Sequence, residues 1–461
     1  MSELAIEEFL VRVGPDRRIE AQWQHAGSSQ SITGLLEIDD LRQRTVNAFV
    51  DLLRSNRLRK VDELKLLGEH LFVTLFGAPE DHPRQNGPGM LFRQAIQGDG
   101  EQDRAGGRLL RIVLEVGAGA EWLASWPWEY LYVPQNRDYP DSGIFLGESR
   151  KFMLTRKLPL AVAPRMIQVR PPLRVLFVVL GPSNLDPIEY EAVLETLTRL
   201  RDAGDEERID LRVLSQEHGP DGTRFPPDED LAVQATWASF LNSVEQFDPH
   251  IVHVISHGRY STDADGGARG EVAFPSDDTT AEWIADRDLA NQLNESGSSL
   301  RLVFLQSCES ATTSSNQYHV ISGMAQSLAQ KNIPAVVAMH FKIKSLLANT
   351  FARAFYENLV ARHPIEVAMH VARRQLYLGG MADEAHRSGF GLPVLYLRES
   401  SPLLTPPVPQ KSTPTRRRSA RVAVPGGADD RADAAQLLAR LDQPDRAGAE
   451  AAKPTWRRAD R

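Results

Sequence analysis

Residues 250–260 read HIVHVISHGRY, and residues 300–310 read LRLVFLQSCES. Each is an apolar run that stops at a reactive side chain, His257 in the first and Cys308 in the second. A continuous run of Ile, Val, Leu and Phe, without polar alternation, marks a strand buried on both faces of a parallel sheet. In open parallel sheets, ligands bind beyond the carboxyl ends of the strands. Strands predicted at 250–256 and 300–306 therefore carry His257 and Cys308 to that edge. Right-handed crossovers make the two strands neighbours, ~4.8 Å apart.

The same texture extends outward in both directions. LRVLFVVL (173–180) predicts a first buried strand, and Pro187–Asp202 a helix with proline in its first turn. A strand at Ile209–Leu214 and a helix at Val233–Gln246 precede the histidine strand. Asp288–Leu293 reads as a short helix with Asp286 as a cap. Beyond the cysteine come a helix at Val320–Gln330, a strand at Ile333–Met339, helices at Leu346–Arg362 and Pro364–Leu378, and a strand at Leu392–Leu397. Alternating strands and helices over 173–398 predict an α/β core, a mostly parallel sheet with helices on both faces.

Residues 1–160 predict a smaller α+β subdomain. Its one clear helix carries Leu64, Leu67, Leu71 and Leu75 at helical spacing and closes at Gly77. RLLRIVLEV (108–116) reads as a strand and Gly143–Leu158 as a strand pair. PWEYLYVP (127–134) reads as a packed aromatic junction in which Trp128 is buried and Glu129 is structural. Residues 160–172 form a connector. Residues 400–461, rich in Pro, Arg and Ala, predict a disordered tail, with 429–442 as a short amphipathic stretch.

Composition narrows the function. The 461-residue chain is 42% hydrophobic and 25% charged, with a net charge of -8 and one cysteine. This is the balance of a soluble globular protein. The negative charge argues against a nucleic-acid partner. No apolar run approaches the ~20 residues of a membrane span. The acidic N-terminus lacks the pattern of a signal peptide. One cysteine excludes an internal disulfide framework. A cytoplasmic, reducing location is expected.

A histidine beside a cysteine is a nucleophile–base pair. Free thiols titrate near ~8.5, and an adjacent imidazole takes the proton and later returns it to a leaving amine. Gly258 lets substrate approach the backbone, and the N–H groups of Gly258 and Cys308 are candidate oxyanion donors. A lone cysteine more often packs than reacts; its strand-end position opposite His-Gly reverses that expectation. Other chemistries fail on spacing. A cysteine phosphatase needs an arginine where Ser314 stands. Zinc needs more ligands than His253, His257 and Cys308, and His253 reads as a core residue inside its strand. No P-loop is present.

These motifs resemble a known family. ISHG followed by LQSC is similar to the SHG and QAC motifs of caspase-fold cysteine peptidases. Over about residues 60–398 the chain resembles a CHAT domain, the prokaryotic branch of that superfamily, through PWEYLY, LRVLFVVLGPSNLDPIEYE, GMAQSLAQKNIPAVVAMHFKI, HPIEVAMHVARRQL and GFGLPVLYL. The resemblance implies a caspase-like fold and a cysteine endopeptidase without cofactor or metal, His257 being the acid/base and Cys308 the nucleophile. It implies a protein or peptide substrate, an activator or regulatory protein, and a setting in bacterial stress or defence. Its rival is a catalytically silent scaffold that holds a partner peptide in the same groove. Gln306 matches the pocket-lining glutamine of caspases. Arg259, Asp263, Asp265 and His340 are further substrate-binding candidates from their positions near the strand ends.

Overall fold

The computed structural model describes residues 5–25, 27–58, 60–78, 87–97, 108–117, 119–135, 143–149, 151–160, 166–203, 209–215, 232–233, 235–262, 268–307, 318–339, 343–399 and 403. Cys308, Asp263, Asp265, His340 and the segment from 404 onward, with its proposed tail helix, lie outside the described residues.

The N-terminal region opens with strands β1 (Ala5–Val13), β2 (Arg18–His25) and β3 (Ser28–Leu35). Helices α1 (Asp40–Arg54), α2 (Val61–Phe76) and α3 (Gly87–Gln97) follow, then β4 (Arg108–Val116), β5 (Tyr132–Val133), β6 (Ile144–Phe145) and β7 (Phe152–Lys157). The central region contains β8 (Leu173–Leu180), α4 (Glu191–Asp202), β9 (Ile209–Leu214), β10 (Ala232–Val233), α5 (Trp237–Phe247) and β11 (Ile251–Ser256). Next come β12 (Gly258–Thr262), β13 (Ala268–Pro275), β14 (Ala281–Ala285), α6 (Asp286–Ser296), β15 (Leu302–Ser307), α7 (Tyr318–Gln330) and β16 (Ala335–Met339). Helices α8 (Ser345–Val360) and α9 (Ile365–Ala382) lead to β17 (Pro393–Leu397).

Among the described residues, twelve strands form one sheet in the order β10-β9-β8-β11-β15-β16-β17-β7-β4-β1-β2-β3. From β10 to β16 every pairing is parallel. β17 is antiparallel to β16 and parallel to β7, so β17, β7, β4 and β1 run opposite to the histidine strand. The β17–β7 pairing of Tyr396 with Arg156 joins strands from the two ends of the chain. The fold is the mostly parallel α/β sheet that the sequence predicts.

Strand parity explains why both sheet faces are covered. Ile251 and Ile255 of β11, with Leu302 and Phe304 of β15, join one apolar cluster with Val193, Leu197, Phe351 and Phe355 from α4 and α8. Val252, Val254, Val303 and Leu305 point the other way, to Phe240, Leu289, Leu293 and Leu328 of α5, α6 and α7. Successive side chains of a strand alternate faces, so an uninterrupted apolar run fills both.

Several local readings need correction. The N-terminal region holds three α-helices among its described residues, where one or two helices were expected. α3 opens with Gly-Pro-Gly, the composition of a turn, which masks its buried stripe of Leu91, Phe92 and Ala95, and α1 buries Val46, Val50 and Leu53 while leaving Leu41 exposed. The expected strand pair at 143–158 is divided: β6 pairs with β5 in a small ribbon, whereas β7 lies in the large sheet. α4 starts at Glu191 rather than Pro187. The carbonyl of Asp186, which would begin that helix, accepts a hydrogen bond from a histidine instead. Val233 lies in β10, and α5 starts after Thr236, whose hydroxyl caps Ser239 N at 3.2 Å. β12, β13 and β14 form a three-stranded antiparallel sheet that the sequence did not announce. Finally, ordered packing passes Ser400. Leu403 is fully buried, and its carbonyl accepts from Val169 N at 2.8 Å.

The aromatic junction is buried as expected. Trp128 is 0% exposed, and its indole N–H donates to Leu123 O at 2.8 Å. Glu129 takes two hydrogen bonds from Arg156, at 3.0 and 2.6 Å, and lies 3.7 Å from Arg373 of α9. Arg156 also donates to the carbonyls of Ala124 and Trp126, and Arg373 to those of Leu154 and Pro393. Gly68 of α2 lets the helix close on this junction, since a Cβ there would sit 2.4 Å from Tyr130 O.

Candidate functional site

After β8 the chain passes to β9 and β10 on one side, then returns to β11 on the other. The boundary between β8 and β11 is therefore a topological switch point, where loops leaving the two carboxyl ends diverge and open a crevice. The loop leaving β8 is 181–190, and the residue leaving β11 is His257.

β11 and β15 are parallel neighbours in register, with Ile255 opposite Gln306 and Ser256 opposite Ser307. The two strands end level, one residue before His257 and one residue before Cys308 in the sequence.

His257 is 5% exposed. Its Nε2 lies 2.8 Å from the backbone carbonyl of Asp186. A carbonyl oxygen only accepts, so Nε2 carries the proton and, in the neutral ring, Nδ1 carries the lone pair. The His257 carbonyl accepts from Ala273 N of β13 at 3.0 Å, which fixes the histidine backbone. Asp186 is the participant that sequence reasoning missed. Its contribution is a main-chain oxygen, which no side-chain motif reports.

The other candidates are dispersed. Gly258 begins β12 opposite Val272. Arg259 is exposed, but its Nε donates to Glu271 at 2.6 Å and its guanidinium lies over the Trp283 ring, 4.2 Å from the centroid. Those partners hold it on the small sheet. Gln306 is 2% exposed and shares a strand face with Phe304, beside His253. It lies in the core, closed to solvent.

His253 is the core residue expected. It is 0% exposed, stacks on Phe304 with centroids 4.0 Å apart, and places Nδ1 3.0 Å from the Tyr356 hydroxyl. Burial pushes its pKa down to about 3, so the ring is neutral. No described helix is long and apolar enough to cross a membrane.

Solved structures with similar coordinates include two crystal structures of the Saccharomyces cerevisiae separase–securin complex. They match with TM-scores of 0.39 and 0.42 at 10% identity, covering 85% and 86% of this chain and 30% of those chains. This chain thus spans less than a third of the length of those relatives. The complex of Porphyromonas gingivalis RgpB pro- and mature domains matches with a TM-score of 0.35 at 11% identity, covering 79% of this chain and 78% of that one. No curated protein matches the sequence significantly. The CHAT domain family model matches residues 89–421, well over half of the chain, and the protein belongs to the CHAT domain family.

Proposed function

We propose that this protein is a cysteine endopeptidase in which Cys308 is the nucleophile and His257 the general acid/base. The observation that carries the reading is the level ending of β11 and β15, with Ser256 opposite Ser307, one residue before each member of the pair. Family membership and the Asp186 contact support it.

With Nε2–H donated to Asp186 O, Nδ1 is the basic nitrogen. It takes the thiol proton of Cys308. The sulfur attacks the scissile carbonyl carbon, forming an S–C bond, and the oxyanion accepts hydrogen bonds from the N–H groups of Gly258 and Cys308. Collapse breaks the C–N bond, and the imidazolium returns its proton to the leaving amine. Water, deprotonated by the same nitrogen, then hydrolyses the thioester and restores the thiol. A protein or peptide is the substrate in this reading. Control by an activator, a cytoplasmic location and a role in bacterial stress or defence rest on the resemblance and composition alone.

The test is incubation of wild type and Cys308→Ala with a broad peptide library. Cleavage by wild type and none by the variant, with matching circular dichroism, is the expected result. Equal cleavage by both removes Cys308 from the mechanism. Absence of cleavage by both, with binding of peptides retained, favours the silent scaffold.

A further inference from the structure

We propose that the turn joining β13 to β14 is a clamp that positions the Asp186 carbonyl against His257, with Ser183, Asn184 and Thr279 as positioning residues. Its catalytic meaning rests on the peptidase reading above; its structural test does not.

Asp186 offers a main-chain oxygen from an exposed loop. Such a loop needs outside contacts to hold one carbonyl within hydrogen-bond reach of a ring. The contacts come from the turn 276–280 and from Ala281, the first residue of β14. Ser183 N donates to Thr279 O at 2.8 Å, and the Ser183 and Thr279 hydroxyls lie 2.8 Å apart. Ala281 N donates to the Asn184 side-chain oxygen at 2.9 Å. Two consecutive loop residues are thus tied to the turn, two and three positions before Asp186.

The turn itself is built for this. Thr279 has φ +66°, the left-handed region that β-branched residues avoid. It persists because its neighbours over-determine it. The Asp278 carboxylate accepts from Thr280 N at 3.2 Å, from the Thr280 hydroxyl at 2.7 Å and from the Ser276 hydroxyl. Ser276 and Thr280 close the turn through Ser276 N and Thr280 O at 2.8 Å. In this conformation the Thr279 carbonyl and hydroxyl both meet Ser183. Strained residues held this firmly cluster at functional positions.

The decisive feature is that one hairpin holds both partners. Ala273 N of β13 binds the His257 carbonyl at 3.0 Å, and the turn at the end of that strand binds the loop that carries Asp186. Donor and acceptor of the Nε2–H···O contact are therefore referenced to a single rigid element. Movement of β13 carries both together and preserves the ring orientation.

The experiment uses the full chain and the variants Asn184→Ala and Asn184→Asp, the second keeping an acceptor oxygen. The His257 ring N–H proton is followed by NMR, assigned by its loss in His257→Ala. In Asn184→Ala its exchange with water is expected to rise about tenfold, the equivalent of one net hydrogen bond, with Asn184→Asp near wild type. On a peptide substrate, kcat falls about tenfold while KM stays within about twofold, the signature of a misplaced catalytic group. Wild-type exchange in Asn184→Ala overturns the clamp. Faster exchange in a protein whose wild type binds peptides but cleaves none upholds the clamp and favours the silent scaffold over the peptidase. If Asn184→Ala does not fold, Ser183→Ala is read by the same signal, and unchanged exchange there overturns the proposal.

Discussion

Two parts of this molecule bury polar side chains, and they use them differently. At the junction of β7, α9 and the PWEYLY segment, Glu129, Arg156 and Arg373 are all at least 95% buried, and each charge is met by an opposite charge or by carbonyls. At the carboxyl ends of β8 and β11, the His257 imidazole meets a main-chain oxygen on an exposed loop. The first arrangement locks two segments of the sheet together. The second fixes the direction of one ring, which is what proton transfer requires. A buried charge with several partners reads as architecture; a buried ring oriented by a loop at a switch point reads as chemistry.

The contrast breaks most visibly under mutation. If the proposed dyad operates, His257→Ala and Cys308→Ala each lower peptide cleavage by about 10⁴-fold or more with unchanged circular dichroism. Retention of cleavage in either would remove that residue from the dyad. Glu129→Ala should do the reverse. Two buried guanidiniums lose their carboxylate, and stability drops by about 3–5 kcal/mol in urea unfolding. An unchanged urea midpoint would mean that the carbonyl contacts suffice.

A smaller effect tests where the core ends. Leu403→Ala should cost about 2–4 kcal/mol, because a fully buried leucine leaves a cavity. A chain ending at Ser400 should melt lower than one ending at Leu403. Equal melting temperatures would show that the Leu403 contact contributes nothing.

The smallest effect is on pH. Burial lowers His253 and His370 to about 3 and His250 to about 4, from an ordinary 6.5. Below pH 6.5 the unfolded chain takes up protons that these folded rings refuse, so stability is full above 6.5 and falls as pH drops toward 4. Glu366 opposes this. Burial raises it to about 7, so the folded state holds its extra proton between 4.5 and 7 and loses stability as pH rises through that window. Among these four groups the three histidines outweigh the glutamate, and their sum is a loss of stability on acidification. The double variant His253→Phe/Tyr356→Phe removes both partners of the buried contact and should flatten the melting-temperature profile between pH 6.5 and 4. A profile as steep as wild type would exclude His253 as a contributor.

Much of the fold was legible because its signals are local. LRVLFVVL is buried at nearly every position as β8, and the 64–75 leucine spacing became the buried stripe of α2, closed by Gly77 at φ +76°. Trp128 lies at the bottom of the aromatic junction, as its flanking prolines suggested. The missed elements carry weaker local signals. α3 begins with turn residues, and the small sheet at 258–285 mixes Gly, Ser, Thr and Asp, so its strands depend on cross-strand partners absent from any short window.

The sequence by itself determined which residues sit at strand ends. Apolar runs that stop at His257 and Cys308 set those positions, since burial on both faces requires an unbroken apolar segment. Only the tertiary structure decided what meets His257. The Asp186 carbonyl comes from a loop 71 residues earlier in the chain, and the hairpin that holds them both closes 22 residues later, at Thr279. Main-chain oxygens are identical at every position, so their choice of partner is made by topology and strand order rather than by residue type.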